Sequence, residues 1–233
     1  MPARWLNVVK AVLLFFLSIF MVGCLNRGEV TVQQPTQPTS FSLPSKAEVR
    51  FAPPGDQSFY YYADGQRIPL TLSLQWIAVK FSSRDPARQA AALQSPSLGS
   101  LEGAKQIPDP ELTLVPLREG LTTEALVQEI NRLRADRSSF LQVNPVFQAE
   151  DVKMIVTDEF IATFSAGKEK EDIDQLNSSH GVEIVEPVLG QANTFVLRVT
   201  EKAELDALAM ANMYQESGIA ASAAPNFVRV LQN

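Results

Sequence analysis

The chain has 233 residues, which is enough for one or two domains. Its net charge of -6 argues against nucleic-acid binding, because neutralising phosphates requires clustered Lys and Arg. The single Cys and single His exclude zinc sites built from these residues and disulfides within the chain. We therefore expect no metal site, no cofactor and no nucleic-acid partner.

Residues 1–24 have the pattern of a bacterial targeting segment. Arg4 and Lys10 form a basic region, and a 12-residue apolar run, residues 11–22, is too short to span a bilayer comfortably. The run ends in MVGC, which resembles a lipobox, where Cys24 is lipidated and becomes the mature N-terminus. An uncleaved anchor helix and an ordinary secretory signal are the alternatives. The resemblance implies a lipid anchor on the extracytoplasmic side of the cell envelope, in the outer membrane if the cell is Gram-negative.

A tether and a hairpin follow the targeting segment. Residues 25–50 are rich in Pro, Gln and Thr and lack an apolar period, which predicts an extended spacer. Residues 58–74 place Asp64-Gly65 between two β-rich runs, a strong signal for a β-hairpin.

The C-terminal part, residues 155–233, has the clearest periodicity. We predict a strand at residues 160–164, a helix at 169–180 stopped by Gly181, and strands at 182–188 and 194–199. A second helix at 204–217 and a last strand at 219–228 complete the unit, with Pro225 on an edge strand or at a bulge. This βαββαβ order predicts a ferredoxin-like arrangement with both helices on one face of an antiparallel sheet.

The alternation of side chains along two of these strands predicts which residues face the helices. Three residues of the first strand (Phe160, Ala162, Phe164) and three of the third (Phe195, Leu197, Val199) should face the helices. The opposite face then carries Ile161, Thr163, Thr194, Val196 and Arg198. No helix of the unit is left to cover this face, so it is either a docking surface or an ordinary sheet face in water.

Residues 51–150 combine the hairpin with a degenerate copy of the same unit. We predict strands at 76–81, 111–116 and 140–147 and helices at 85–94 and 123–137, while the second strand is obscured within residues 95–109. Pro145 and Pro225 lie 80 residues apart, as do Phe147 and Phe227. Such a period indicates an internal repeat. The predicted fold class is α+β, with two tandem ferredoxin-like domains.

Four segments of the C-terminal part carry a resemblance to a known family. They are residues 159–164 (EFIATF), 180–187 (HGVEIVEP), 193–199 (NTFVLRV) and 224–227 (APNF). In this order they resemble the N-terminal prodomain of subtilisin-like serine proteases, in particular the fervidolysin type. The resemblance implies a folding chaperone and inhibitor whose sheet docks on the protease and whose C-terminal tail lies in the active-site cleft like a cleaved product.

The resemblance also implies which residues bind the protease. Asn233 would fill the specificity pocket, Gln232 and Leu231 would pair with the strands of the cleft, and Val230 would fill an apolar pocket upstream. The sheet face would contribute Ile161, Thr163, Val196 and Arg198. Asn233 is polar, whereas many subtilisins prefer a large apolar residue at this position.

The sequence lacks the segments that a subtilisin-like catalytic domain requires. His180 is the only histidine, lies at a helix end and is interpreted as structural, so Ser-His and Cys-His triads are excluded. We therefore expect a protein that is not an enzyme and has no catalytic residue and no small-molecule substrate. The resemblance to the prodomains implies that it acts on a subtilisin-like protease in trans. The alternatives are a surface lipoprotein that serves as a binding or structural module, and the detached prodomain of a broken or split protease gene.

Overall fold

The computed structural model of this chain describes residues 51–53, 58–149 and 151–231, all within the compact unit Leu43–Asn233. The predicted targeting segment with Cys24, the tether at residues 25–50, and Gln232 and Asn233 lie outside the described residues.

The described residues form ten strands, four α-helices and one 3-10 turn at Leu101–Gly103. All strand pairs among them are antiparallel, which confirms the predicted α+β class. The strands are β1 Tyr60–Ala63, β2 Gln66–Pro69, β3 Thr71–Phe81, β4 Lys105–Ile107, β5 Leu112–Pro116, β6 Phe140–Ala149, β7 Val152–Thr163, β8 Val182–Pro187, β9 Thr194–Val199 and β10 Ser222–Leu231. The helices are α1 Pro86–Ala92, α2 Thr123–Ala135, α3 Lys170–Ser179 and α4 Ala207–Glu216.

The predicted hairpin is present as β1 and β2, but it ends at Pro69, and residues 71–74 of the predicted range belong to β3. Tyr62 pairs with Arg67 and Ala63 with Gln66, so the loop is the two-residue Asp64-Gly65. Both loop residues have positive φ (51° and 73°), as a type I′ turn requires. The turn of this hairpin therefore follows from the local sequence.

The remaining eight strands build one sheet from two halves of equivalent strand order. The first half, residues 71–149, has the order β6-β3-β5-β4, and the second half, residues 152–231, has the order β10-β7-β9-β8. Numbered within each half, both orders read fourth, first, third, second. β6 and β7 are joined by a tight turn in which Ala149 pairs with Val152, so the boundary predicted between residues 150 and 155 falls on a hairpin.

β7 joins the two halves because its 12 residues are more than twice the length of the strand predicted at residues 160–164. Its first part pairs with β6 as far as Ile155, and its second part pairs with β9 from Glu159 onwards. β10 pairs along the other edge of β7, and its register shifts between Pro225 and Phe227. β10 is thus an edge strand with a bulge at the proline, as predicted.

Local signals position the helices. The side chain of Thr122 caps α2 and that of Asp206 caps α4, each accepting a hydrogen bond from a backbone N–H of the first turn. α3 ends at His180, and Gly181 follows with φ of +69°. A Cβ at Gly181 would lie 2.5 Å from the backbone N of Ala203, so only glycine fits at this helix end.

The main hydrophobic core lies on one face of the sheet and draws on both halves. It contains Phe147 of β6 and Phe160 of β7 together with apolar residues of α2, α3 and α4. The segment before the hairpin enters this core, since Phe51 stacks on Phe59 at 4.7 Å and both rings contact Phe147. The hairpin also contacts the second half, where Tyr61 lies 5.1 Å from Phe227 between ring centroids.

A smaller apolar cluster lies on the other face of the first half. No described helix contributes to this cluster. Its buried residues all come from strands and are Ala78, Ile107, Leu112, Leu114, Val146 and Ile155. Trp76 packs against this cluster, and the ammonium groups of Lys105 and Lys153 each lie 5.5 Å from its ring centroid. Long lysine side chains with apolar stems can cover such a cluster while their charges remain near water.

Candidate functional site

The structure places the predicted sheet-face residues on one surface of the second half. Ile161 pairs with Val196 across β7 and β9, and Thr163 pairs with Thr194. Ile161, Thr163, Val196 and Arg198 are all partly exposed, and the described helices lie on the opposite face. We call these four residues the open face.

The opposite side of the same strands is buried as the alternation predicts. Phe160, Ala162 and Leu197 are fully buried, and Phe164 is 2% exposed. Phe195 also points to this side but is only half-buried, with its ring centroid 6.1 Å from that of Phe164. The face assignment from periodicity is therefore confirmed for both strands.

Arg198 is held by three carboxylates that the sequence analysis did not identify. Its guanidinium lies 2.6 Å from Glu159, 3.5 Å from Glu183 and 3.7 Å from Asp158. The hydrogen bond to Glu159 raises the pKa of Arg198, while burial raises the pKa of Asp158. Three carboxylates thus surround one guanidinium, which gives this edge of the open face a net negative charge.

Thr194 was also predicted on this side of the sheet but is only 2% exposed, so it is not part of the open face. Its hydroxyl lies 3.0 Å from that of Thr163 and 3.2 Å from the carbonyl oxygen of Ala192, to which it donates. These contacts satisfy the hydroxyl within the chain. Thr194 therefore stabilises the start of β9 and presents little surface to a partner.

The C-terminal residues predicted to bind the protease begin within β10. Val230 pairs with Lys153 and Leu231 with Val152, so both belong to the sheet. Val230 packs against the smaller apolar cluster, whereas Leu231 is 73% exposed. Because β10 pairs only with β7 among the described strands, no described strand covers its outer edge. Near the start of β10, the N–H of Ala223 donates to the side chain of Gln215.

A cleft between the two halves was not predicted. It has a volume of about 520 Å³ and is lined by residues of β3, α2, β6, β7, β9 and the start of α4. One sequence signal was available, because the polar residue Asn144 interrupts the apolar run of β6. The structure shows that this residue is buried, with 4% exposure. The charged residues of the cleft lie far apart in sequence, and only the tertiary structure brings them together.

Three further observations concern other classes of site. His180 contacts the ring of Tyr214 at 5.8 Å between centroids, a packing role that agrees with its structural interpretation. Among the described residues, no group of three or more His, Cys, Asp or Glu is placed to hold a metal ion. No helix within the described part of the chain is both long and apolar enough to cross a membrane.

Comparison of the chain with protein-family models, with curated proteins and with solved structures gives no match in any of the three.

Proposed function

We propose that this chain is a membrane-anchored, propeptide-like inhibitor or folding chaperone of a subtilisin-like serine protease. The observation that carries the proposal is the second half itself, with strand order β10-β7-β9-β8, its helices on one side and the open face on the other. The resemblance of four segments to subtilisin prodomains falls on this same half. Cys24 would anchor the protein to the membrane, with residues 25–50 as the spacer.

In this proposal both halves are ferredoxin-like units that arose by duplication and now share one sheet. Pro145 of β6 lies opposite Ile77 in the first half, and Pro225 of β10 lies opposite Phe160 in the second. The two prolines, 80 residues apart, thus lie in the fourth strand of each half, although their strand partners Ile77 and Phe160 are 160 − 77 = 83 residues apart. The first unit supports the second by extending its sheet and core, and the second unit carries the binding surface.

The proposed contact has two parts. The open face docks on the surface of the protease, and the C-terminal end of β10 directs Gln232 and Asn233 into the active-site cleft. Val230 and Leu231 can keep their pairing with β7, because the outer edge of β10 remains available for strand addition from the protease. Strand addition supplies affinity through the main chain and selectivity through alternate side chains.

The proposal is tested by titrating residues 25–233 against a panel of subtilisin-like proteases with a chromogenic peptide substrate. Inhibition of at least one protease is expected, and deletion of residues 230–233 should abolish it while part of the binding survives. Ile161→Glu and Val196→Glu should each weaken binding at least about tenfold, since they place charge in the docked face. Leu189→Glu is the matched control, because Leu189 is 99% exposed and lies outside this face.

Two results would overturn the proposal. One is digestion of the chain by every protease of the panel without inhibition. The other is equal inhibition by Leu189→Glu and the two open-face variants. If binding persists but the deletion leaves inhibition unchanged, the tail is not a product mimic and the chain is a plain docking module.

A docking module without protease specificity is the second candidate function. The sheet and core that the two halves share favour this second candidate. Docking in the manner of a prodomain needs only the second half, but in this chain the first half is part of the same folded unit. In this case binding depends on the open face alone.

A further inference from the structure

The cleft between the two halves follows from the way β7 changes partners. Between Ile155, the last residue that pairs with β6, and Glu159, the first that pairs with β9, one edge of β7 has no neighbouring strand. The cleft opens over this edge, and Thr157 and Asp158 line it. We call it the seam cleft.

A buried donor without a partner lines the seam cleft. Asn144 of β6 is 4% exposed, and its side-chain Nδ2 has no hydrogen-bond partner. Leaving a buried amide donor unsatisfied costs folding free energy, and native structures retain few of them. Because this nitrogen is itself enclosed, the side-chain amide must turn toward the cleft before an acceptor atom of a bound molecule can satisfy it.

The charges of the seam cleft are divided between the two halves of the sheet. The first half contributes three cations, Lys80, Arg134 and Arg137. The second half contributes one cation, Arg198, and four carboxylates: Asp158, Glu183, Glu201 and Asp206. The lining from the first half is thus positive and the lining from the second half is net negative, and we call them the positive wall and the negative wall.

Only part of this charge is neutralised within the protein. Arg134 pairs with Asp206 at 3.3 Å, and Arg198 pairs with Asp158 and Glu183 as well as with Glu159. Among the described residues, Lys80 and Arg137 form no ion pair on the positive wall, and Glu201 forms none on the negative wall. Burial raises the pKa of Asp158 and the charge of Arg198 opposes that shift, so a further cation would stabilise the ionised carboxylate.

We propose that the seam cleft binds a zwitterionic α-amino acid with an apolar side chain. Its carboxylate accepts from the Asn144 amide and faces Lys80 and Arg137, while its ammonium faces Asp158 and Glu201. Leu141, Val199 and Ala207 line the same cleft and supply the apolar contact. A ligand with both charges matches both walls, whereas an anion or a cation alone matches only one.

The inference is independent of the proposed function, and leucine and two of its derivatives test it. L-Leucine keeps both charges, N-acetyl-leucine lacks the ammonium and leucinamide lacks the carboxylate. Calorimetry on residues 25–233 should give a Kd of about 1 mM or tighter for leucine. Each derivative should bind at least about tenfold more weakly, because it leaves one charged wall unpaired.

Variants test whether the cleft residues make these contacts. Asn144→Leu should abolish leucine binding and preserve or raise Tm, since it replaces an unsatisfied amide by an apolar group of similar size. Arg137→Gln should lower the affinity for leucine and leave the affinity for leucinamide unchanged. Arg84→Gln is the control, because Arg84 is 90% exposed and does not line the cleft.

The outcomes decide the inference in either direction. No binding of leucine, or equal binding of leucine and both derivatives, would overturn it. A fall in Tm for Asn144→Leu together with unchanged leucine affinity would assign Asn144 a structural role and also overturn it. Loss of binding with intact stability, and with Arg84→Gln at the original affinity, would establish the site.

Discussion

Arg134 and Asp206 join the two halves of the molecule by a buried ion pair. Nη1 of Arg134 lies 3.3 Å from Oδ2 of Asp206, and their side chains are 15% and 6% exposed. Asp206 also caps α4 by accepting from the N–H of Ala209 at 3.0 Å, while Nε of Arg134 donates to the carbonyl oxygen of Val143 at 2.9 Å. One contact thus connects α2 and β6 of the first half to α4 of the second.

We predict that Asp206→Asn destabilises the protein by about 3–5 kcal/mol, because it leaves the charge of Arg134 buried without a counter-charge. The asparagine can still cap α4, so the loss reports the ion pair rather than the cap. Urea unfolding measures the change. Glu111→Gln is the matched control, since it removes the exposed pair with Arg84 and should cost only about 0–1 kcal/mol. Equal losses in the two variants would contradict the prediction.

Glu129 should make stability depend on pH in the acid range. Arg132 donates two hydrogen bonds of 2.8 Å to it, and these lower the pKa of Glu129. A lowered pKa in the folded state means that the stabilisation is present above the unfolded value of about 4.3 and is lost as pH falls through the folded value.

The variant Glu129→Gln tests this dependence. It should lower the free energy of unfolding by about 1–3 kcal/mol at neutral pH. The difference in the free energy of unfolding between the variant and the parent protein should shrink as the pH falls below about 4. Denaturant unfolding at a series of pH values measures both curves, and parallel curves for the two proteins would refute the assignment.

Replacing two aromatic residues by alanine tests how the helix-facing side of β7 and β9 is packed. Phe160 is fully buried and its ring lies 5.2 Å from that of Tyr214, so Phe160→Ala should cost about 3–5 kcal/mol. Phe195→Ala should cost less because Phe195 is only half-buried. Chemical unfolding gives both values, and the reverse order would mean that the packing of these strands differs from that described.

Lipidation of Cys24 remains a prediction from the sequence. Cys24→Ala should leave the precursor uncleaved by lipoprotein signal peptidase and unlabelled by a fatty-acid probe in growing bacteria. The parent chain should be labelled and recovered in the membrane fraction. Labelling of the variant at the level of the parent would refute the anchor.

Local patterns in the sequence were sufficient for most elements of the second half. Alternation along β7 and β9 identified the side that faces the helices, and Gly181 marked the end of α3, because both signals depend on neighbours in the chain. The bulged edge strand at Pro225 was also predictable, since proline lacks the N–H that a central strand requires. These features need no knowledge of distant residues.

The tertiary structure decided how the halves combine. The sequence alone determined the α+β class, the Asp64-Gly65 hairpin and the 80-residue period, since these follow from periodicity and turn chemistry. It did not determine that β7 extends back to Val152 and pairs with β6, nor that Arg134 meets Asp206 across 72 residues. Strand pairing and charge placement at such separations depend on which surfaces bury each other on folding, and no local pattern encodes that choice.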